Sequence, residues 1–195
     1  QSIIEINDYT GAELKFKLLK SLQILDVKTE DLNYSIDETD QYYNTLNFYQ
    51  KPQSKNKKPI IFLTYSGKVY NLPNETNLNQ KHSNSIGIIS PKNNEGIYLP
   101  GGSFYPSLDN SLNLFECTIN SPKSYIMVTS GNVISNNINK SQKDESKTVV
   151  YQTPFPTDEI TIVGGKYVEY SKQYEGVTFN LYTYDSTNQA ETYLN

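Results

Sequence analysis

The sequence predicts an all-β protein, an antiparallel β-sandwich or Greek-key barrel with one short helix near residues 19–25. Three observations point there. Tyrosine is abundant, 17 of 195 residues, and with Thr, Val and Ile it favours the pleated, half-buried surface of a sheet. About ten short runs alternate apolar with polar residues and stop at Gly, Pro, Asn or Asp, the pattern of a sandwich or barrel. Finally, one pattern recurs: a hydrophobic run, Tyr-x-Gly, then apolar residues three and five positions after the glycine. It occurs at Tyr9-Thr10-Gly11 with Leu14 and Phe16, at Tyr65-Ser66-Gly67 with Tyr70 and Leu72, and at Tyr174-Glu175-Gly176 with Phe179 and Leu181. A looser copy is Thr129-Ser130-Gly131 with Ile134. Shuffling 17 Tyr and 10 Gly through the chain produces about one Tyr-x-Gly, so three with matching flanks read as a repeated hairpin.

The elements follow in order. Ser2 to Ile6 alternates as a strand entering the first Tyr-x-Gly turn. Leu14, Phe16 and Leu18 alternate as a strand, whereas Leu14, Leu18, Leu22 and Leu25 recur at helical spacing, so a strand ending near Leu18 and a short helix over Leu19–Leu25 are expected. Residues 28–42 are acidic and loop-like, Tyr43 to Tyr49 is a strand, Lys51 to Lys58 is a solvated loop, and Pro59 to Leu63 opens the second repeat. Residues 71–84 lack apolar periodicity and read as a surface loop. After a short strand at Ile86 to Ile89, the polar run Ser90 to Gly96 is the best linker. The chain is therefore one all-β unit over 1–195, or two, 1–90 and 97–195. Beyond it come strands at Ile97 to Leu99, Leu112 to Ile119 and Tyr125 to Thr129, then a second polar loop at Asn136 to Lys147. Thr148 to Tyr151, Glu159 to Val163, Lys166 to Tyr170 and Val177 to Tyr184 complete the strands.

Composition narrows the function. A net charge of −4 and a pI near 5.1 give no pull toward nucleic acid or anionic membrane. Every basic residue is lysine, so the bidentate arginine fork that reads phosphates and bases is missing. No apolar stretch has the length of a membrane-spanning helix. Hydrophobic residues make up 36%, lean for a globular chain, and tyrosine offsets the shortfall with apolar area that keeps a hydroxyl. Cys117 is the single cysteine, which excludes an intrachain disulfide. Gln1 opens the chain, and a processed terminus would place the protein outside the cell or on its surface. Sequons at Asn33, Asn74 and Asn139 fit that location.

The hairpin turns at Tyr9-Thr10-Gly11 and Tyr174-Glu175-Gly176 resemble the aromatic-x-Gly turn of βγ-crystallin-type Greek-key motifs. Asp158-Glu159-Ile160-Thr161 and Asn84-Ser85-Ile86 are similar to that family's serine-rich strand start. The resemblance covers about a third of the chain in separated pieces and implies paired Greek keys. Repeat spacing is uneven, tryptophan is absent and the family's calcium pattern is nowhere complete, so the resemblance implies no ion site.

Catalytic constellations are scarce. His82 is the single histidine, in a polar loop, which excludes sites that need two. Cys117 lies on an apolar strand with no neighbouring positive charge to hold a thiolate. Ser103 follows Gly101-Gly102, but the spacing is not a nucleophile elbow. Glu95, Asp109, Glu116, Asp158 and Glu169 could supply a glycosidase pair, yet nothing in their context selects two of them. The acidic run Asp26 to Asp40 lacks the spacing of a calcium loop. No catalytic residue, cofactor or metal site is therefore assigned.

Tyr42, Tyr43, Tyr98, Tyr105, Tyr182 and Tyr184 are the candidates for recognition, because surface tyrosine gives contact area and a hydrogen-bonding tip at small entropic cost. The expected function is a non-enzymatic structural protein of an extracellular or particle surface, a coat, filament or virion subunit that binds other subunits or itself. The alternatives are a carbohydrate-recognition module using exposed tyrosines, and a glycoside-acting enzyme.

Overall fold

The computed structural model describes residues 1–69, 87–88, 96–140 and 145–184. Among them every regular element is a strand, and no helix is long and apolar enough to cross a membrane. The chain forms two compact units that interleave along the sequence. Unit 1 takes Gln1–Gly87, Leu99–Asn113 and Pro156–Thr161, and unit 2 takes Ile88–Tyr98, Leu114–Phe155 and Ile162–Asn195.

Unit 1 holds β1 (Ser2–Glu5), β2 (Leu14–Leu19), β3 (Leu22–Lys28), β4 (Leu32–Asp37), β5 (Tyr43–Gln50) and β6 (Ile60–Gly67). Two later strands in chain order are β7 (Gly87–Ile88) and β8 (Gly96–Leu99), and β9 (Ser107–Leu108) returns to unit 1. One sheet has the order β1-β6-β3 and another β4-β5-β2-β9. Side chains of both enter one buried cluster: Leu22, Ile61 and Leu63 from the first, Phe16, Leu18, Leu32, Leu46 and Phe48 from the second, with Tyr9 from the β1–β2 connection. Leu18, Leu46 and Ile61 are 0% exposed. Phe16 meets Phe48 edge to face at 5.9 Å, a favoured aromatic geometry.

The expected helix at 19–25 is not formed. Residues Leu14 to Leu19 are strand β2, Lys20-Ser21 is a two-residue turn, and β3 follows at once. A spacing of four satisfies a helix and also keeps the parity of a strand, so Leu14, Leu18 and Leu22 could not discriminate. The turn carries the chain from one sheet to the other, with β2 paired to β5 and β3 to β6. A bulge at Leu25 then changes the parity, so that Val27 packs on the core as Ile24 does before the bulge.

The acidic region 28–42 is also more ordered than expected. It contains β4, where Leu32 is buried and Tyr34 and Ile36 continue the same face. Its carboxylates stabilise turns: Asp37 accepts from the Thr39 N–H, Asp40 from Tyr42 and Tyr43, and Asp31 from the side chains of Ser54 and Asn56. Those bonds hold all three below the ordinary carboxylate range.

Unit 2 holds β10 (Glu116–Pro122), β11 (Ile126–Thr129), β12 (Asn132–Lys140), β13 (Glu145–Gln152), β14 (Ile162–Gly165), β15 (Val168–Tyr174) and β16 (Val177–Thr183). Its sheets are β10-β13-β12, β11-β14-β8-β7 and the hairpin β15-β16. The polar segment 136–147, expected as a loop, supplies most of β12 and the start of β13. Its asparagines suit the edge position that β12 occupies, because an edge strand does not need an apolar outer face. Ile119, Met127, Val149, Tyr151 and Ile162 are buried, and the Tyr151 hydroxyl donates to the Met127 carbonyl at 2.7 Å.

The repeated-hairpin expectation holds at one site only. Tyr174-Glu175-Gly176 joins two strands that pair with each other, and the two loop residues both have positive φ, 48° and 80°, as a type I′ turn requires. At Tyr9-Thr10-Gly11 the flanking strands belong to different sheets, β1 pairing with β6 and β2 with β5. The loose copy at Gly131 likewise lies between strands that pair elsewhere. Gly67 ends β6 opposite Leu22, where a Cβ would collide with the Ser21 carbonyl oxygen. Glycine is required there by close approach of backbone. Tyr70 and Leu72 lie outside the described residues. So do residues 90–95 of the expected linker, while Gly96 opens β8 and is buried.

Candidate functional site

The β15–β16 hairpin of unit 2 presents a group of tyrosines and exposed apolar side chains. Its register pairs Val168 with Thr183 and Tyr174 with Val177, and alternation divides the residues between two faces. One face carries Glu169, Ser171 and Gln173 opposite Tyr182, Asn180 and Thr178. The other carries Val168, Tyr170, Lys172 and Tyr174 opposite Thr183, Leu181, Phe179 and Val177.

At the base of the first face three tyrosines gather. The rings of Tyr167 and Tyr184 lie 4.9 Å apart and those of Tyr167 and Tyr182 6.1 Å apart, both tilted. The Tyr182 hydroxyl donates to Glu169 Oε1 at 3.2 Å, and the Tyr184 and Tyr167 hydroxyls are 3.5 Å apart. Burial, with the charge of Glu169 next, pushes the Tyr182 phenol up to about 12. Tyr167 is pushed further in the same direction, by burial and then by Tyr184. The Tyr167 and Tyr182 phenols are therefore neutral donors at physiological pH, beside an acceptor carboxylate. Such a group can stack an apolar ring face and exchange hydrogen bonds with hydroxyls.

The second face is largely apolar and partly exposed. Val168 is 37% exposed, Tyr174 62%, Val177 53% and Phe179 49%. Every residue from Gln173 to Asn180 is exposed, so the tip of the hairpin is open to solvent. A two-stranded hairpin is at best marginally stable in water by itself, and one with an apolar face in solvent gains from being covered.

Of the six recognition candidates, the structure brings together Tyr182 and Tyr184. Tyr167 completes their cluster and was missed, although it stands two positions before Glu169 just as Tyr184 stands two after Tyr182. Tyr105 has a structural role: its hydroxyl accepts the Ile160 N–H at 3.1 Å and its ring packs edge-on against Phe104. Tyr42 is exposed beside the half-buried Tyr43, and both backbone N–H groups bind Asp40. Tyr98 is half-buried in β8. Among the sequons, Asn33 is exposed on β4, Asn139 donates its side-chain N–H to Thr148 Oγ1 at 3.0 Å, and Asn74 lies outside the described residues.

The nucleophile and carboxylate candidates have local partners. Burial raises the Cys117 thiol, against thiolate formation. Ser103 Oγ donates to the Pro100 carbonyl at 2.6 Å. Asp109 is paired with Lys17 at 2.6 Å, Asp158 accepts the N–H of Glu159, and Glu116 is exposed at the start of β10. His82 and Glu95 lie outside the described residues. Comparison of the chain with protein-family models and with curated proteins returned no match.

Proposed function

We propose that this protein is a non-enzymatic structural subunit of an extracellular or particle surface, such as a coat, filament or virion component, that works by self-association. The apolar face of β15–β16 carries this reading. Four large apolar side chains on the hairpin, Val168, Tyr174, Val177 and Phe179, are exposed, and contiguous exposed apolar patches mark interaction sites. The same reading gives unit 1 a β-sandwich architecture, with one core shared by two sheets.

Sedimentation velocity of the full chain across a concentration series tests it. The wild-type coefficient should rise with concentration, and Val177→Asp/Phe179→Asp should stay monomeric with an unchanged circular dichroism spectrum. A wild-type chain that stays monomeric throughout would overturn the reading.

A second reading has its own support in the Tyr167–Tyr182–Tyr184 cluster beside Glu169. Neutral phenols and a carboxylate on a partly exposed surface suit a carbohydrate ligand. A monomer retained on immobilised glycan, with retention lost in Tyr184→Ala, would favour that reading over the first.

A further inference from the structure

Two tyrosines flank the open end of the β15–β16 hairpin. Val168 and Thr183 are the strand partners there, and Tyr167 and Tyr184 stand one position outside them. Their rings lie 4.9 Å apart at a tilt of 49°, and their hydroxyls are 3.5 Å apart. The two phenols thus meet at their hydroxyl ends, within the range of ring contact. Tyr184 is 47% exposed, so an oxidant in solvent reaches the pair. Tyr182 is set apart from this contact, with its ring 6.1 Å from Tyr167 and its hydroxyl on Glu169 Oε1.

Position gives the pair a use. A two-stranded hairpin is marginally stable in water, and the tip of this one is open to solvent. A covalent tie at its open end would restrict the unfolded segment, as a disulfide does. Cys117 is the single cysteine, so no disulfide within the chain can serve. Oxidative coupling of two phenols makes a side-chain bridge without cysteine.

We propose that Tyr167 and Tyr184 form a site of oxidative cross-linking, joined as dityrosine by hydrogen peroxide acting through a haem peroxidase, and that the bridge staples the open end of the hairpin. Each phenol gives up one electron and its hydroxyl proton, leaving a radical shared between the oxygen and the ring carbons beside it. The two radicals combine in a carbon–carbon bond between one Cε atom of each ring. The hydrogen on each of those carbons leaves as a proton, each oxygen takes up a proton, and both rings become aromatic again. The chain loses two hydrogen atoms in all, and the peroxide O–O bond breaks to give two waters. Rings already held in contact couple as an intramolecular pair, ahead of partners that must first meet by diffusion. The site requires neither self-association nor glycan binding.

Peroxidase and hydrogen peroxide applied to the dilute full chain test it, with tryptic peptide mapping of the monomer band from a denaturing gel. Cleavage after Lys166 and Lys172 puts Tyr167 on the peptide 167–172 and Tyr184 on 173–195. Wild type should show dityrosine fluorescence, an intact mass lower by two hydrogens, and these peptides joined, with fragment ions placing the bond on Tyr167 and Tyr184. Tyr167→Phe and Tyr184→Phe should each lose that joined pair, and Tyr182→Phe should keep it; circular dichroism checks that each variant folds. In the bridged chain, amide exchange at Gln173 to Asn180 should slow by about tenfold. Coupling spread evenly over the tyrosines, found only between molecules, or absent while free tyrosine in the same solution couples would overturn the site. A bridged hairpin that exchanges as fast as the unbridged one would overturn the staple.

Discussion

The two units place their apolar side chains differently. In unit 1 nine hydrophobic residues form one cluster fed by two sheets, and several are fully excluded from water. In unit 2 the buried hydrophobics, Ile119, Met127, Val149, Tyr151 and Ile162, all retain 4–8% exposure, while Val168, Tyr174, Val177 and Phe179 stand in solvent. Buried apolar area scales with stability, so unit 1 is the more strongly held. Unit 2 keeps a larger share of its apolar surface available for contact.

This contrast is broken or sharpened first by core truncation. Leu46→Ala in unit 1 should destabilise by about 2–5 kcal/mol in urea melts, because it leaves a cavity where both sheets meet. Val149→Ala in unit 2 should cost less than half as much. Equal losses would erase the distinction between the units. The glycines come next. Gly67→Val should destabilise by roughly 1–3 kcal/mol, since the added Cβ meets the backbone at Ser21 and Leu22. Gly176→Val meets no atom within 4 Å, so its cost is confined to the positive φ of the turn, about 1–2 kcal/mol.

Smaller effects probe unit 2 alone. Tyr151→Phe removes the donor to the Met127 carbonyl and should cost about 1 kcal/mol. Cys117→Ala should cost on the order of 1 kcal/mol through a small cavity and leave assembly unchanged. Alkaline titration should show Tyr182 ionising near 12. Because that phenol is raised above its unfolded value near 10, the folded state holds its proton where the unfolded state has lost it. Stability then declines as pH rises from about 10 toward 12. Ultraviolet difference spectra and melts at pH 9 and 11 check the sign; greater stability at pH 11 would contradict it.

Strand content was legible because alternation at β5, β6, β10 and β16 is local. Pairing was less so. Tyr-x-Gly marks a chain reversal at Gly176, a crossover between sheets at Gly11 and a close backbone approach at Gly67, and one dipeptide pattern cannot say which strand lies alongside. Leu18 and Leu22 misled because a four-residue step fits helix and strand alike. β4 was hidden by its acidic neighbours, although Leu32, Tyr34 and Ile36 alternate there. At the candidate site, Tyr182 and Tyr184 were readable as tyrosines in a strand. Tyr167 joins them only through the cross-strand register, which depends on a turn length that composition does not reveal.

Hydrogen exchange followed by mass spectrometry as a function of protein concentration tests the central claim most directly. If the β15–β16 hairpin is the contact element, peptides covering Gln173 to Asn180 should gain protection as concentration rises. Peptides from the unit 1 core strands β2 and β5 should stay equally slow throughout. Rapid, concentration-independent exchange across the hairpin, in samples where sedimentation shows assembled material, would contradict the account.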